Sequence, residues 1–290
     1  MGREVLSDPE IADLERRASK AVGLDLRRLL CDAGEEELRA TEHAQPALVF
    51  MGVALSRLAE RQGIRAVAAA GHSVGEYAAL IASGAASWEE GMAAVAERGR
   101  AMAAFARGDS GMLAVLGLAP EAVREVLSHL ENVWPANFNT PTQTVVGGLT
   151  GALEPAAQAL LQAGARRVLP LNVAAAFHTP LMAPAAESLR PRLEAVAWQD
   201  PAYPVVANVN ARPHPRADAV ASLLVRQLAS PVLWGQSVST LQALGCERFL
   251  ELGPRRVLSG MMRELAPGAA AQAVSSPADL ADLDSSWRAV

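Results

Sequence analysis

The stretch from Ile64 to Gly84 constrains the fold most, because it passes from a short apolar run through a glycine-rich turn into a helix pattern. The run IRAVAAAG (64–71) is typical of a buried strand in a parallel sheet. The following VGEYAALIASG (74–84) predicts a helix that ends at Gly84. A strand, a tight turn and a helix in this order indicate an α/β protein.

The flanking segments continue the alternation of helices and strands. Capping residues and apolar residues at helical spacing predict helices over 7–23, 45–63 and 87–105. After about residue 180, helix and strand patterns alternate again, in MAPAAESLRPRLEAV, YPVVANVN, ADAVASLLVRQL and VSTLQALGCERFLELGP. The chain end, from SSPADL onward, predicts one short helix and a loose end.

The middle of the chain has a different order of elements. Strand and helix patterns follow one another as βαββαβ, at 111–118, 120–130, 133–139, 142–148, 153–165 and 166–173. That order is typical of a small ferredoxin-like unit. We therefore predict a parallel-sheet α/β core formed by residues 1–107 and 176–290, interrupted by an inserted ferredoxin-like subdomain at 108–175.

Composition excludes several classes of function. A formal charge of −5 gives no general attraction to nucleic acid or to an anionic membrane. The two cysteines, Cys31 and Cys246, lack metal-ligand spacing, so neither a metal site nor a disulfide framework is expected. No apolar run approaches the length of a membrane span, and the charged N-terminus does not resemble a secretory signal. These features favour a cytoplasmic protein.

Ser73 is the candidate nucleophile. It stands in Gly-His-Ser-Val-Gly between a predicted strand and a predicted helix, which is the arrangement of a nucleophile elbow. The N–H of Val74, at the start of the helix, would then face the oxyanion of a tetrahedral intermediate. Because so short a pattern also arises by chance, an ordinary serine in a glycine-rich turn stays open as the alternative.

A serine nucleophile needs a base, and the chain has five histidines. His178 follows the last strand of the predicted insert, in a loop at a strand end, where α/β proteins carry catalytic groups. A structural histidine is the alternative there. His72 is expected to pack in the turn, since adjacent side chains on such a turn diverge. His129 is expected at a solvated helix end, His43 before a helix, and His214 in an exposed loop.

Five segments together resemble the malonyl-CoA:acyl-carrier-protein transacylase family: GHSVGEYAAL, AERGRAM, ANFNTPTQTVVGG, AAFHTPLM and ELGPRRVL. The family includes discrete enzymes of fatty-acid synthesis and the acyltransferase domains of polyketide synthases. The resemblance runs from residue 2 to about residue 284. It implies a hydrolase-like α/β domain with a ferredoxin-like insertion, which agrees with the order of elements above.

The resemblance also implies roles for individual residues. Ser73 matches the acylated serine and His178 its base, while Arg98 matches the arginine that binds the free carboxylate of the malonyl group. Gln45 and Gln227 match positions that line the site, and the backbone carbonyl at the latter orients the histidine. The implied site is therefore a Ser-His dyad without an acidic third member.

Two of these assignments have alternatives. Arg98 could lie on a solvated helix face, as is expected for Arg100. AAFH, which contains Phe177, resembles the HAFH form of malonyl-selective polyketide acyltransferases, although Ala175 replaces the first histidine. Methylmalonyl or another carboxylated acyl group stays open, since Arg98 would bind any of them.

The implied reaction is a ping-pong transfer with malonyl-CoA as donor and the phosphopantetheine thiol of an acyl carrier protein as acceptor, and no tightly bound cofactor. Carrier proteins of this kind are typically acidic, which makes Arg166, Arg167, Arg255 and Arg256 candidate docking groups; ordinary solvated charge is the alternative. A hydrolase that removes acyl groups from carrier proteins, or a non-catalytic partner of a synthase, are the other classes.

The beginning of the chain departs from the family pattern. The family begins with an apolar strand and a Gly-Gln-Gly-x-Gln loop, whose first glutamine supplies a second oxyanion N–H. MGREVL resembles the segment after that loop. Since the loss of one oxyanion donor typically lowers the rate by about 10²–10³, weak activity or low stability is expected of the chain as written.

Overall fold

The computed structural model of this 290-residue chain describes residues 2–106 and 108–288. The helices are α1 (Pro9–Val22), α2 (Leu26–Cys31), α3 (Thr41–Arg61), α4 (Gly75–Ala82), α5 (Trp88–Ala104), α6 (Pro120–Ser128), α7 (Thr150–Gln162), α8 (Ala183–Glu194), α9 (Ala217–Leu228), α10 (Trp234–Ala243), α11 (Leu258–Leu265) and α12 (Pro277–Ala281). The strands are β1 (Ala69–Ala70), β2 (Ser110–Leu116), β3 (Val133–Thr140), β4 (Gln143–Leu149), β5 (Arg167–Leu171), β6 (Val205–Val206), β7 (Arg248–Leu252) and β8 (Ala270–Val274).

Capping chemistry sets the ends of the first helix, which was predicted over 7–23 and is observed at Pro9–Val22. The Asp8 carboxylate accepts the N–H groups of Glu10 and Ile11, and Pro9 occupies the first turn. Gly23 ends the helix in the left-handed region at φ 71°. The short-range signals of this segment were therefore sufficient to predict its structure.

The predicted ferredoxin-like insert is present as a four-stranded antiparallel sheet with the order β3-β4-β2-β5. Helices α6 and α7 bury one face of this sheet, in a cluster that includes Val115, Val123, Val146 and Leu160. Pro135 is accommodated at an irregularity in the pairing of β3 with β4. The fold class is thus confirmed. The subdomain boundaries stay predictions, and residue 107, like residues 1, 289 and 290, lies outside the described part of the chain.

The parallel pairs of the core are short. β1 pairs with β6 through Ala69–Val205 and Ala70–Val206, and β7 pairs with β8 over five residues. The strand predicted over 64–71 is present at the expected place, but it is shorter than predicted. Its partner β6 has only two residues to pair with it before the chain turns at Ala207. A groove of about 940 Å³, lined by residues of α3, β1 and β7, lies beside the turn after β1.

A layer of buried helices completes the core and positions part of the site. Phe50 on α3 meets Trp88 on α5 edge to face, at 5.9 Å between ring centres. The two helices also approach closely at Gly99, where a Cβ would lie 2.8 Å from Cα of Glu42. Glycine at this position allows the two helices to touch. The contact brings Gln45, one turn further along α3, beside Arg98, which precedes Gly99 on α5.

Candidate active site

Ser73 lies on the turn between β1 and α4, at φ +53°. This left-handed conformation is uncommon for a residue with a side chain, as expected of a nucleophile elbow. Gly71 is required because a Cβ there would lie 1.9 Å from the carbonyl carbon of Gly75. A Cβ on Gly75 would meet nothing within 4 Å. The close approach therefore depends on the first glycine of the motif and not on the second.

His178 meets Ser73 as predicted, with Nε2 2.7 Å from Oγ. Its other ring nitrogen, Nδ1, lies 2.9 Å from the backbone oxygen of Gln227. Since a carbonyl only accepts, Nδ1 carries the proton and Nε2 is free to accept the proton of the serine. The Gln227 carbonyl is available because it lies in the last turn of α9.

The charge state of His178 follows from its surroundings. The residue is only 4% exposed. Burial, followed by the positive charge of Arg98, lowers the pKa of His178 to about 3. The imidazole is therefore neutral at physiological pH, which is the form that a general base requires.

Arg98 is fully buried on α5, which excludes the alternative of a solvated helix face. Its guanidinium donates hydrogen bonds to Oε1 of Gln45, to Oγ of Ser73 at 3.1 Å and to Oε1 of Gln227 at 3.1 Å. All three acceptors are neutral, and no carboxylate within residues 2–106 and 108–288 forms an ion pair with Arg98. Burial lowers the pKa of the guanidinium. A buried cation with no direct ion pair among the described residues thus faces the nucleophile.

The other predicted site residues surround this group. Gln45 is buried between Arg98 and the sulfur of Met102. Val74 is the N-cap of α4, a position whose N–H has no partner within the helix. Phe177 is half-buried and packs against clusters of both the core and the insert. Of these residues, Gln45 contacts Arg98 directly.

His72 lies away from the reacting atoms, as predicted. Its Nε2 is 3.0 Å from Oδ1 of Asn139 on β3, and its ring packs on Trp234 at 5.5 Å between centres. His72 thereby links the elbow to the inserted sheet. His129 is exposed beside Glu125, also as predicted.

Two expectations about histidines were wrong. His43 lies within the first turn of α3, because the helix begins at Thr41. His214, expected in an exposed loop, is buried, and its Nε2 lies 2.9 Å from Oε1 of the buried Glu76. The prolines around His214 indicate a loop correctly. Its burial depends on a carboxylate 138 residues away in the chain, which no local pattern reports.

Sequence reasoning also missed the side chains that support the elbow. Asn208 accepts the N–H of Ser73 through Oδ1 at 2.7 Å. The side-chain amide of Gln227, a residue expected to line the site and to orient His178 through its backbone carbonyl, donates to the carbonyl of Ser73 at 3.0 Å. Asn208 follows β6 at the edge where β1 also ends, so its contact with the turn is a consequence of parallel pairing.

Comparison with known proteins decides the family. The family model for the acyl transferase domain matches residues 1–276. The chain is a member of the acyl transferase family. It is 38% identical over 280 residues to the malonyl CoA-acyl carrier protein transacylase of Escherichia coli K12, covering 95% of this chain and 91% of that protein. It is 36% identical to the enzyme of the same name from Bacillus subtilis, covering 96% and 89%.

Solved structures of family members have the same fold. A malonyl-CoA:acyl carrier protein transacylase from Xanthomonas oryzae pv. oryzae superposes with a TM-score of 0.94 at 39% identity, covering 100% of this chain and 94% of that one. A second, a malonyl-transacylase in complex with its type II polyketide-synthase acyl-carrier protein, superposes with a TM-score of 0.91 at 35% identity, covering 97% and 93%. No helix in the described part of this family member is long and apolar enough to cross a membrane.

Proposed function

We propose that this acyl transferase moves a malonyl group from malonyl-CoA to the phosphopantetheine thiol of an acyl carrier protein, in fatty-acid or polyketide synthesis. The observation that carries the proposal is the buried Arg98 guanidinium beside Ser73, which among the described residues donates to three neutral oxygens. The names of the relatives support the reaction. No tightly bound cofactor is needed.

In the first half-reaction, Ser73 attacks the thioester carbonyl of malonyl-CoA while His178 takes its proton at Nε2. The Gln227 carbonyl, which holds Nδ1–H, keeps the imidazole in this tautomer. The N–H of Val74 stabilises the oxyanion of the tetrahedral intermediate. When the intermediate collapses, His178 returns the proton to the departing CoA thiol, and a malonyl ester of Ser73 remains.

Arg98 explains why the acyl group carries a carboxylate. A malonyl group differs from an acetyl group by one carboxylate, which would be buried unpaired in a site without a cation. The guanidinium offers that carboxylate two parallel, charge-assisted hydrogen bonds, each of which contributes about 1.5–3 kcal/mol. Phe177 beside His178 is the proposed determinant of selectivity for malonyl over larger carboxylated groups.

In the second half-reaction, the pantetheine thiol of the carrier protein attacks the ester, and His178 now takes the thiol proton. The intermediate expels the Ser73 oxygen, which recovers that proton from His178. Carrier protein and malonyl-CoA are thus the proposed partners. We place the reaction in the cytoplasm, in keeping with the free thiols Cys31 and Cys246.

Mass spectrometry of the intact protein after incubation with malonyl-CoA tests the proposal. One malonyl adduct is expected, located on Ser73, absent from Ser73→Ala, and stable in buffer until carrier protein bearing phosphopantetheine is added. An adduct that is lost in buffer alone would indicate the hydrolase instead. A wild-type protein that never forms the adduct would refute both.

A further inference from the structure

A buried carboxylate lies directly under the nucleophile turn. Glu76, the second residue of α4, is fully buried, and no lysine or arginine of the described residues pairs with it. Its Oε1 is 2.9 Å from Nε2 of His214, whose side chain is also fully buried. A buried carboxylate is costly unless hydrogen bonds satisfy it, so the donors around Glu76 show which groups the carboxylate holds.

The second oxygen of Glu76 accepts two N–H groups from distant parts of the chain. The backbone N–H of Asn208 donates to Oε2 at 2.9 Å, and Nε2 of Gln227 donates to it at 2.8 Å. Asn208 follows β6, and Gln227 lies in the last turn of α9. The carboxylate therefore joins α4 to both elements.

The same two residues hold the backbone of Ser73 on both sides. Oδ1 of Asn208 accepts the N–H of Ser73 at 2.7 Å, and Nε2 of Gln227 also donates to the carbonyl of Ser73 at 3.0 Å. At φ +53° this backbone persists only where its surroundings hold it. Glu76 therefore holds Asn208 and Gln227 in place, and these two residues hold the strained backbone of Ser73.

Gln227 extends this arrangement to the other reacting side chains. A carboxylate can only accept, so Glu76 requires the amide nitrogen of Gln227 to point toward it and the amide oxygen to point away. That oxygen accepts from Arg98, and the backbone oxygen of the same residue accepts from His178. An inverted amide would present its NH₂ group to the guanidinium.

We propose that Glu76 is a positioning residue for acyl transfer. Through Asn208 and the oriented amide of Gln227, it holds the Ser73 turn in its strained, reactive conformation. It touches neither substrate nor reacting atoms. The inference rests on the proposed function for its first assay, and a second assay is independent of that function.

The first assay measures formation of the acyl-enzyme from malonyl-CoA in single turnovers. Glu76→Ala should lower the maximal acylation rate by roughly 10- to 100-fold. This factor corresponds to the strain energy of one residue held in an unfavourable backbone conformation, which is released when the Ser73 turn relaxes. Half-saturation by malonyl-CoA should change much less than the rate, because Arg98 keeps its contacts with Gln45 and Ser73. Glu76→Gln should recover most of the rate, since its amide oxygen can still accept both N–H groups while His214 changes tautomer.

Glu15 provides the matched control. It is a buried glutamate on α1 that pairs with Arg27 and lies outside the site. Glu15→Ala should lower thermal stability without lowering the acylation rate of the folded protein. If Glu76→Ala and Glu15→Ala acylate at the same rate, or if Glu76→Ala acylates like the wild type, the proposal is wrong.

The second assay needs no malonyl-CoA. Diisopropyl fluorophosphate reacts with an activated serine: Ser73 displaces fluoride from phosphorus, and His178 takes the proton. Asn208→Ala removes the acceptor of the Ser73 N–H but keeps the backbone N–H that donates to Glu76. Slower labelling of Asn208→Ala and Glu76→Ala is expected, and labelling at the wild-type rate would overturn the proposal. A wild type that is labelled but never malonylated would refute only the proposed function.

Discussion

Replacement of Arg98 by alanine should abolish the preference for malonyl-CoA over acetyl-CoA. The guanidinium lies 3.1 Å from the nucleophilic oxygen of Ser73, close enough to bind the far end of a short acyl group attached there. Acetyl-CoA carries no carboxylate, so it gains nothing from this cation. The ratio of the two specificity constants therefore isolates the carboxylate contact from any general damage to the site.

The magnitude follows from an exchange of hydrogen bonds. Two charge-assisted bonds to a carboxylate contribute about 3–6 kcal/mol, while the bonds that they replace, to neutral oxygens such as Oε1 of Gln45 and Gln227, contribute about 0.5–1.5 kcal/mol each. The net preference is then about 2–3 kcal/mol, equivalent to a ratio of roughly 30 to 160. Arg98→Ala should therefore lower the ratio of kcat/KM for malonyl-CoA to kcat/KM for acetyl-CoA by about this factor.

The assay compares initial rates with both thioesters at several concentrations, using wild type, Arg98→Ala and Arg100→Ala. Arg100 is the matched control because it lies two residues away on the same helix, half exposed and paired with Glu97. Its removal should leave the ratio unchanged. Equal losses toward malonyl-CoA and acetyl-CoA in Arg98→Ala would refute the assignment of Arg98 as the carboxylate-binding group.

Three further predictions concern stability and docking. Because the pKa of His178 is about 3 in the folded protein, the unfolded chain binds more protons below about pH 6.5, and stability should fall by up to about 1.4 kcal/mol per pH unit toward pH 4. The free energy of unfolding is measured by urea titration at several pH values. His178→Gln should lose this part of the pH dependence, and the exposed His129→Gln should retain it; an equal pH dependence in the two variants would contradict the reasoning. Gly71→Ala should destabilise by at least about 1–3 kcal/mol, whereas Gly75→Ala should melt close to wild type, and the reverse order would contradict the steric argument. Arg255→Glu should raise KM for the carrier protein, most at low salt, without slowing acylation by malonyl-CoA; an unchanged KM would exclude Arg255 from docking.

Much of the fold could be predicted because its signals are local. Asp8, Pro9 and Gly23 define α1 within a few residues of its ends. The βαββαβ order of the insert was visible because each strand is flanked by turn residues and each helix has its own apolar face. A prediction of this kind needs no knowledge of which strand pairs with which.

Elements that depend on distant partners were missed or given the wrong length. β8, over Ala270–Val274, has one β-branched residue and is a strand because it pairs with β7. The run at 64–71 has the composition of a full strand, yet β6 pairs with only two of its residues. Local pattern predicts where a strand can form, and the available neighbour decides how much of it does form.

The same distinction separates the reacting residues of the site from the residues that support them. Ser73 and His178 could be proposed from their local motifs, and Arg98 from the family resemblance, because these segments are recognisable along the chain. Glu76 belongs to the same GHSVGEYAAL segment, yet nothing local separates it from a solvated helix glutamate. Two of its partners, Asn208 after β6 and Gln227 in α9, lie more than 130 residues away.

The elbow therefore needs two kinds of support, of which its motif contains only one. Gly71 removes the steric obstacle to the tight turn, but it does not stabilise the left-handed backbone of Ser73. That stabilisation comes from two hydrogen bonds: Oδ1 of Asn208 accepts the N–H of Ser73, and Nε2 of Gln227 donates to its carbonyl. Both residues are held by the carboxylate of Glu76. A Gly-x-Ser-x-Gly sequence without such partners would satisfy the pattern and leave the serine free to relax. The buried carboxylate three residues after the serine thus distinguishes this elbow from an ordinary glycine-rich turn.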